Sequence, residues 1–297
     1  MVVPALSPGE VAEMLELEPA DAFDAYLVTG GLPLILDEWE RGWSLTEFLG
    51  SAVSSPTSAL LVSAERALAA EFPTEAQARS VLGTIGAGER TFTTIGREAG
   101  GLQRTSLSRS LTTLTSKRVV AAERPLSTTT STATRYRVAD PYLRFWLAFL
   151  VQSLPEIERG RGDRVLARIQ EGWSTWRGRA IEPVLREALD RLPLAEQPGG
   201  GGAVGAYWTR TNVPEIDVVI ADRAPVAKQI RAVGSITWHE EAAFDRRDRD
   251  ELIAHRAQMP GATSETPLFA IARNGSTVPD LETFGPEQLL QAWSAPE

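Results

Sequence analysis

The sequence predicts a mixed fold in three parts: an α-helical segment over 1–70, a helix-and-hairpin unit over 71–152, and an α/β domain over 160–297. Three observations carry this reading. Helix start and stop signals recur over 7–70, and a β-prone hairpin follows three helical stretches over 71–150. Strand-like and helical runs then alternate from about 160. A chain of 297 residues is long enough to build two or three separate cores.

Ser7-Pro8-Gly9-Glu10 sets a cap residue before a proline at the first helical position, with a carboxylate in the first turn. Val11, Met14, Leu15 and Leu17 follow at roughly helical spacing. Asp21 to Val28 reads as a second helix that stops at Gly30-Gly31. Leu34 to Trp39 and Leu45–Val53 read as short apolar and helical pieces. The next unit opens on a helix through Ala76–Ile85 that stops at Gly86-Ala87-Gly88. After Phe92–Ala99 and the turn Gly100-Gly101, helix Gln103–Ser116 carries Leu107, Leu111 and Leu114 on one stripe. A hairpin follows, with strand Arg118–Glu123, a polar tip Ser127–Thr134 and strand Arg135–Val138. Three helices and a hairpin form a winged helix-turn-helix. A helix over Pro141–Val151 closes the unit.

In the third part, Arg164–Trp176 and Gly178–Leu192 read as helices, and the glycine run Gly199–Gly202 as a mobile connection. Strands are expected over Ala203–Thr211, Pro214–Ala221, Gln229–Trp238 and Pro267–Ala272, with helices at Asp248–Gln258 and Pro286–Trp293.

A composition of 43% hydrophobic and 23% charged residues is that of a globular protein, and no apolar run reaches the roughly 18 residues of a membrane span. The start, MVVPALSPGEVAEML, lacks the basic and apolar regions of a signal peptide, so a cytoplasmic location and no membrane partner are expected. The absence of cysteine excludes disulfides, thiolate metal sites and cysteine nucleophiles. Net charge is -9, yet Arg90 to Arg137 holds nine Lys/Arg against two acidic residues, leaving about -16 on the rest. A basic island in an acidic chain points to one local nucleic-acid contact rather than a charged coat.

Several runs resemble archaeal-type AAA+ ATPases, in the part that follows their nucleotide-binding domain. YLVTGGLP at 26–33 is similar to the helical lid, and RYRVADPYLRFWLAFL at 135–150 to the run that closes the winged helix. WRGRAIEPVLREAL at 176–189 and PEIDVVIAD at 214–222 resemble the uncharacterised C-terminal domain, itself similar to the PD-(D/E)XK nuclease fold. The resemblance implies a lid-like segment at 1–70, a winged helix at 71–152 and a nuclease-like domain at 160–297. The P-loop, which needs a Gly-Lys pair, is missing: the two lysines are Lys117, after Ser116, and Lys228, after Ala227. The chain is thus expected to be a truncated member, or one whose start lies upstream, and not to hydrolyse ATP by itself.

A nuclease of this kind places an acid on one strand and Glu-x-Lys on the next, with the carboxylates on Mg²⁺ and the lysine near the attacking water. Glu182 matches the helical acid and Asp217 the strand acid, and Glu215 shares a face with Asp217. These are the remnant catalytic candidates, and Asp217 and Glu182 the candidate metal ligands. The partner strand reads GSITW, so Ser235 and Thr237 stand where Glu and Lys are expected, and neither is a good ligand for a hard cation. His239 falls on the same face, while Lys228 lies about 30 Å from Thr237 along an extended strand. For Glu182 the plain alternative is a surface ion pair with Arg179 or Arg186. His239 and His255 suggest no zinc site, and the eight tryptophans read as packing residues.

Opposite its leucines, helix 103–116 presents Thr105, Arg109, Thr112 and Ser116, flanked by Arg104, types that suit phosphate and base-edge contacts. Arg97, Lys117, Arg118, Arg135 and Arg137 add basic surface, whereas the wing tip is uncharged. The leading expectation is a non-catalytic, DNA-associated or regulatory protein whose winged helix contacts double-stranded DNA. The alternatives are a metal-dependent nuclease with a rearranged site, or a protein-interaction module acting with a separate ATPase. No cofactor is expected, and Mg²⁺ enters only with the nuclease alternative.

Overall fold

Ser7 opens the first helix as a full capping box, its hydroxyl accepting from the Glu10 amide while the Glu10 carboxylate accepts from the Ser7 amide at 2.7 Å. In the computed structural model, which describes residues 5–74, 76–86 and 88–294, the chain divides into two compact units. One comprises 1–123 and 135–180, the other 124–134 and 181–297. Ala87 of the expected Gly86-Ala87-Gly88 stop, and the first four residues of the MVVPALSPGEVAEML start, lie outside the described residues.

The first unit begins with α1 (Pro8–Leu15), α2 (Pro19–Thr29), α3 (Pro33–Leu36), α4 (Leu45–Ser54) and α5 (Ala59–Glu71). The expected helical region is present, and it contains one helix, α5, that the sequence reading does not separate. Its start is fixed by the Glu38 carboxylate, which accepts from the Ser58 hydroxyl at 2.6 Å and the Ala59 amide at 2.7 Å. Then come α6 (Ala76–Ile85), β1 (Glu89–Thr91), α7 (Phe92–Glu98), α8 (Arg104–Ser116), β2 (Val120–Glu123) and β3 (Arg135–Val138). The three strands form an antiparallel sheet ordered β1-β3-β2, the arrangement of a winged helix. The leucine stripe of α8 is buried as its period requires, with Leu107, Leu111 and Leu114 no more than 3% exposed.

Helix α9 (Pro141–Phe145) runs into a π turn over Trp146–Leu150, and α10 (Leu154–Ile157) follows. It packs where α2 ends. Gly30 and Gly31 both have positive φ, and a Cβ on Gly30 would lie 2.9 Å from the Tyr142 Cβ. The Tyr142 hydroxyl donates to the Leu60 carbonyl at 2.8 Å and accepts from the Ala64 amide at 2.9 Å. The Trp146 indole donates to the Leu61 carbonyl at 3.0 Å. The runs 26–33 and 135–150 are thereby in contact within one core.

The two helices expected after 160 are one 30-residue helix, α11 (Gly162–Arg191), with Pro183 inside it. Its residues through 180 belong to the first unit, where Trp173 and Trp176 pack edge-on to Phe145 at 6.3 and 5.5 Å. From 181 it belongs to the second.

The second unit is an α/β domain. Its strands are β4 (Ala203–Trp208), β5 (Glu215–Ala221), β6 (Ile230–Thr237), β7 (Leu268–Ala272) and β8 (Glu282–Phe284), in the spatial order β4-β5-β6-β7-β8. The first three pair antiparallel, and β6, β7 and β8 are parallel. Parallel neighbours need a crossover, which α12 (Arg246–Gln258) supplies between β6 and β7, and α13 (Pro286–Leu290) follows β8. Ile216, Val218, Val219, Ile220 and Ala221 of β5 are all buried.

The glycine run Gly199–Gly202, expected as a connection, is crowded at Gly199, Gly201 and Gly202. Its four residues have positive φ, and a Cβ on Gly202 would lie 2.1 Å from the Ala221 carbonyl oxygen. Gln197 ties the run down, accepting from the Gly202 amide at 3.1 Å and donating to the Leu192 carbonyl at 2.8 Å. The polar stretch expected as a wing tip, Ser127–Thr134, belongs to the second unit. Leu126 donates from its amide to the Ala206 carbonyl at 2.8 Å, and Ser127 bridges to Val226. The bond to Ala206 pairs one main-chain carbonyl on the edge strand β4.

Candidate functional site

The exposed face of α8 is the first candidate. A helix that buries every third or fourth residue turns the intervening ones to solvent. Arg104, Thr105, Ser108, Arg109, Thr112 and Ser116 are all exposed. The structure therefore groups four of the expected nucleic-acid residues, Arg104, Thr105, Arg109 and Thr112, on one surface. The Arg104 guanidinium sits 5.7 Å from the Phe92 ring centre, which orients it without neutralising it. Arg97, on α7, is exposed with Glu98 at 3.5 Å, and Arg118 is exposed just beyond α8 in a left-handed conformation.

Other parts of the basic island are already engaged. Lys117 lies 2.8 Å from the Glu71 carboxylate and 5.3 Å from the Phe72 ring centre, so it fastens the end of α8 to the end of α5. Arg135 pairs with Glu89 at 3.2 Å and Arg137 with Glu123 at 2.7 Å, each across neighbouring strands. The sequence count of nine cations thus overstates the charge free to meet a phosphate. Cross-strand partners of opposite charge carry no local signal, because strand register is set by the whole sheet.

The second candidate lies on β5 and β6. Glu182 and Arg186 are one helical turn apart on α11, no more than 9% exposed, and their side chains approach to 3.5 Å. Arg186 also donates to the Asp217 main-chain carbonyl at 3.0 Å. The pair is therefore buried rather than on the surface. Its i, i+4 spacing is visible in the sequence, but its burial is not. Asp217 Oδ2 accepts from the Ser235 hydroxyl at 3.0 Å and from the Ile236 amide at 2.9 Å. The β5–β6 ladder reaches Val218 opposite Gly234, and beyond it the Asp217 side chain takes a strand amide. Burial pushes the Asp217 carboxyl above the usual carboxylate range, and the Glu215 charge adds to the rise. The bonds from Ile236 and Ser235 and the Arg186 charge oppose it.

This donor set does not fit a hard divalent cation. Two donors hold one oxygen of Asp217, and Ser235 turns its proton toward the carboxylate where a nuclease would offer a second anion. Thr237 is buried beside it and carries no charge. Among the described residues, no three His, Asp or Glu side chains come together as a metal-holding group. His239, expected on the same strand face, lies beyond the end of β6 and is exposed. Lys228 is exposed before β6 begins, at the other end of the strand from Thr237. His255 lies 4.0 Å from Glu251 on α12.

No helix among the described residues is long and apolar enough to cross a membrane. Comparison with curated proteins and with solved structures returns no match. Residues 146–246, which run from the π turn after α9 through β6 to the start of α12, match a family described as archaeal and bacterial proteins of unknown function (DUF234).

Proposed function

We propose that this chain is a non-catalytic, DNA-associated or regulatory protein related to archaeal-type ATPases. Its winged helix supplies nucleic-acid affinity, and its nuclease-like domain serves binding or assembly. The observation that carries the reading is the exposed face of α8, where Arg104, Thr105, Arg109 and Thr112 stand opposite three buried leucines. Helices presented in this way meet phosphates with arginine and base edges with short hydroxyl side chains.

The non-catalytic part of the reading is supported by the hydrogen bond from Ser235 to Asp217. A neutral donor takes the place of an acid, and one oxygen of the remaining carboxylate already accepts from two donors. Fluorescence anisotropy with duplex DNA over a salt series tests the proposal. Affinity is expected to fall as salt rises, with a slope of about -0.9 per phosphate neutralised. Absence of binding at about 50 mM salt, or a flat salt response, would overturn it.

A second reading, a metal-dependent nuclease with a rearranged site, draws on Arg186, which bonds to both the Glu182 side chain and the Asp217 main chain. Plasmid cleavage in magnesium or manganese that disappears in Asp217→Ala would establish it. A third, an interaction module working with a separate ATPase, would be favoured by co-purification with such a subunit after nuclease treatment.

A further inference from the structure

Between α8 and the three-stranded sheet lies an open pocket of about 140 Å³, lined by Phe92, Ser108, Thr112, Thr115, Ala122 and Tyr136. It holds about as much as four or five waters, far less than the 300 Å³ or so at which drug-sized and cofactor sites begin. One planar ring fits that volume. The wall chemistry is specific in kind: two aromatic side chains and the hydroxyls of Ser108, Thr112 and Thr115, the last of which already donates to the Leu111 carbonyl at 2.8 Å. Ser108, Thr112 and Thr115 fall on one stripe of α8, and Thr112 also belongs to the exposed face described above.

The rim is cationic. Arg104 stands 5.7 Å from the Phe92 ring centre, and Arg90 is the cross-strand partner of Tyr136, with Ala122 opposite Tyr136 on the other side. Directly paired residues share a face of the sheet, so Arg90 flanks the pocket wall that Tyr136 and Ala122 build. A planar ring joined to an anion matches this arrangement. Aromatic platforms beside arginines suit unpaired bases, which present a π-face whatever their identity.

We propose that the pocket receives one unpaired nucleobase, with the adjoining phosphate held between Arg90 and Arg104. The proposal deepens, and rests on, the reading of α8 as a nucleic-acid face. Its source would be the frayed or overhanging end of a duplex lying along α8, and a free nucleotide shares the same chemistry.

The test compares a blunt labelled duplex with the same duplex carrying one unpaired thymidine, using the full chain, and adds thymidine monophosphate in a separate thermal-shift arm. The overhang is expected to tighten binding about tenfold. Ala122→Met and Ser108→Met, both at exposed positions, fill the pocket from opposite walls and should abolish that gain; Ala122→Met, which lies on the sheet and off the α8 face, should also leave blunt-duplex affinity unchanged. A 2-aminopurine in the unpaired position should lose fluorescence on binding, and keep it with either variant. Blunt-duplex binding with no gain from the overhang, or a gain that survives both variants, overturns the pocket and leaves the α8 reading standing. A shift with thymidine monophosphate, lost in both variants and without duplex binding, supports the pocket for free nucleotide and overturns the α8 reading. No binding in any arm overturns both.

Discussion

Arg177 and Asp24, 153 residues apart in the chain, meet at 2.9 Å with side chains 0% and 7% exposed. The Trp173 ring centre lies 5.9 Å from the same guanidinium. The pair joins α2, whose end carries the Gly30-Gly31 turn, to the WRGR start of the third family-like run. With Tyr142 packed on Gly30 and Phe145 on Trp176, three sequence runs read separately become one packed junction.

Removing one partner of this ion pair takes a buried counter-charge away from the other. Asp24→Ala is expected to cost about 3–5 kcal/mol, whereas the double replacement Asp24→Leu with Arg177→Met should be close to neutral. Urea unfolding followed by tryptophan fluorescence checks this, because Trp173 lies beside the pair. Equal losses in the single and double variants would contradict it.

Gly31 joins a left-handed backbone to a close approach: an added Cβ would lie 1.9 Å from the Leu6 carbonyl oxygen. Gly31→Ala is therefore expected to destabilise the first unit by about 2 kcal/mol or more. Gly42→Ala is the control for strain without contact, since its φ is positive but nothing lies within 4 Å. Thermal melts of the two variants should separate, with Gly31→Ala melting lower.

The Asp217 carboxyl has its pKa raised in the folded chain, so the folded state holds the proton more readily than the unfolded one. Its burial cost is absent below the unfolded value, grows as pH rises from there, and is complete once pH has passed the folded value. Asp217→Asn keeps an acceptor oxygen without the charge. It should match or exceed wild-type stability at about pH 7, and lose that advantage at about pH 4. Asp217→Ala leaves the Ser235 hydroxyl and Ile236 amide without this acceptor and should cost about 1–3 kcal/mol. Melting over that pH range separates the two effects.

Lys117 offers a sharper division between sequence and structure. Its charge belongs to the basic island, yet its ammonium is held by Glu71. Lys117→Ala should leave the salt slope of DNA binding unchanged, and alter stability by no more than about 1 kcal/mol. A slope reduced by about one would show that Lys117 leaves Glu71 for a phosphate.

What the sequence made legible follows from period and local chemistry. The α8 leucines repeat at helical spacing, and the capping signals of Ser7 and Glu10 are written within four residues, so both could be read directly. Strands β4 to β7 announced themselves as apolar β-prone runs, and the matched positions of Asp217 and Ser235 fell on neighbouring strands. Long-range partners were not legible. The polar stretch Ser127–Thr134 has the composition of a loop tip, but the bond from Leu126 to β4 and those of Ser127 with Pro225 and Ala227 hold it in the second unit. The short strands β1 and β8, of three residues each, are too brief to show a period. The helices read as Arg164–Trp176 and Gly178–Leu192 are continuous, because a helix tolerates one glycine at modest cost and α11 runs through Gly178.

Arg104 and Arg109 are the side chains expected to meet phosphates from the exposed face of α8. The most direct measurement is the salt dependence of duplex binding by fluorescence anisotropy, for wild type and for the Arg104→Ala, Arg109→Ala double variant. The expected result is weaker binding by the variant, with a log–log slope shallower by about two. An unchanged slope and affinity would contradict the claim and take the winged helix out of the nucleic-acid interface.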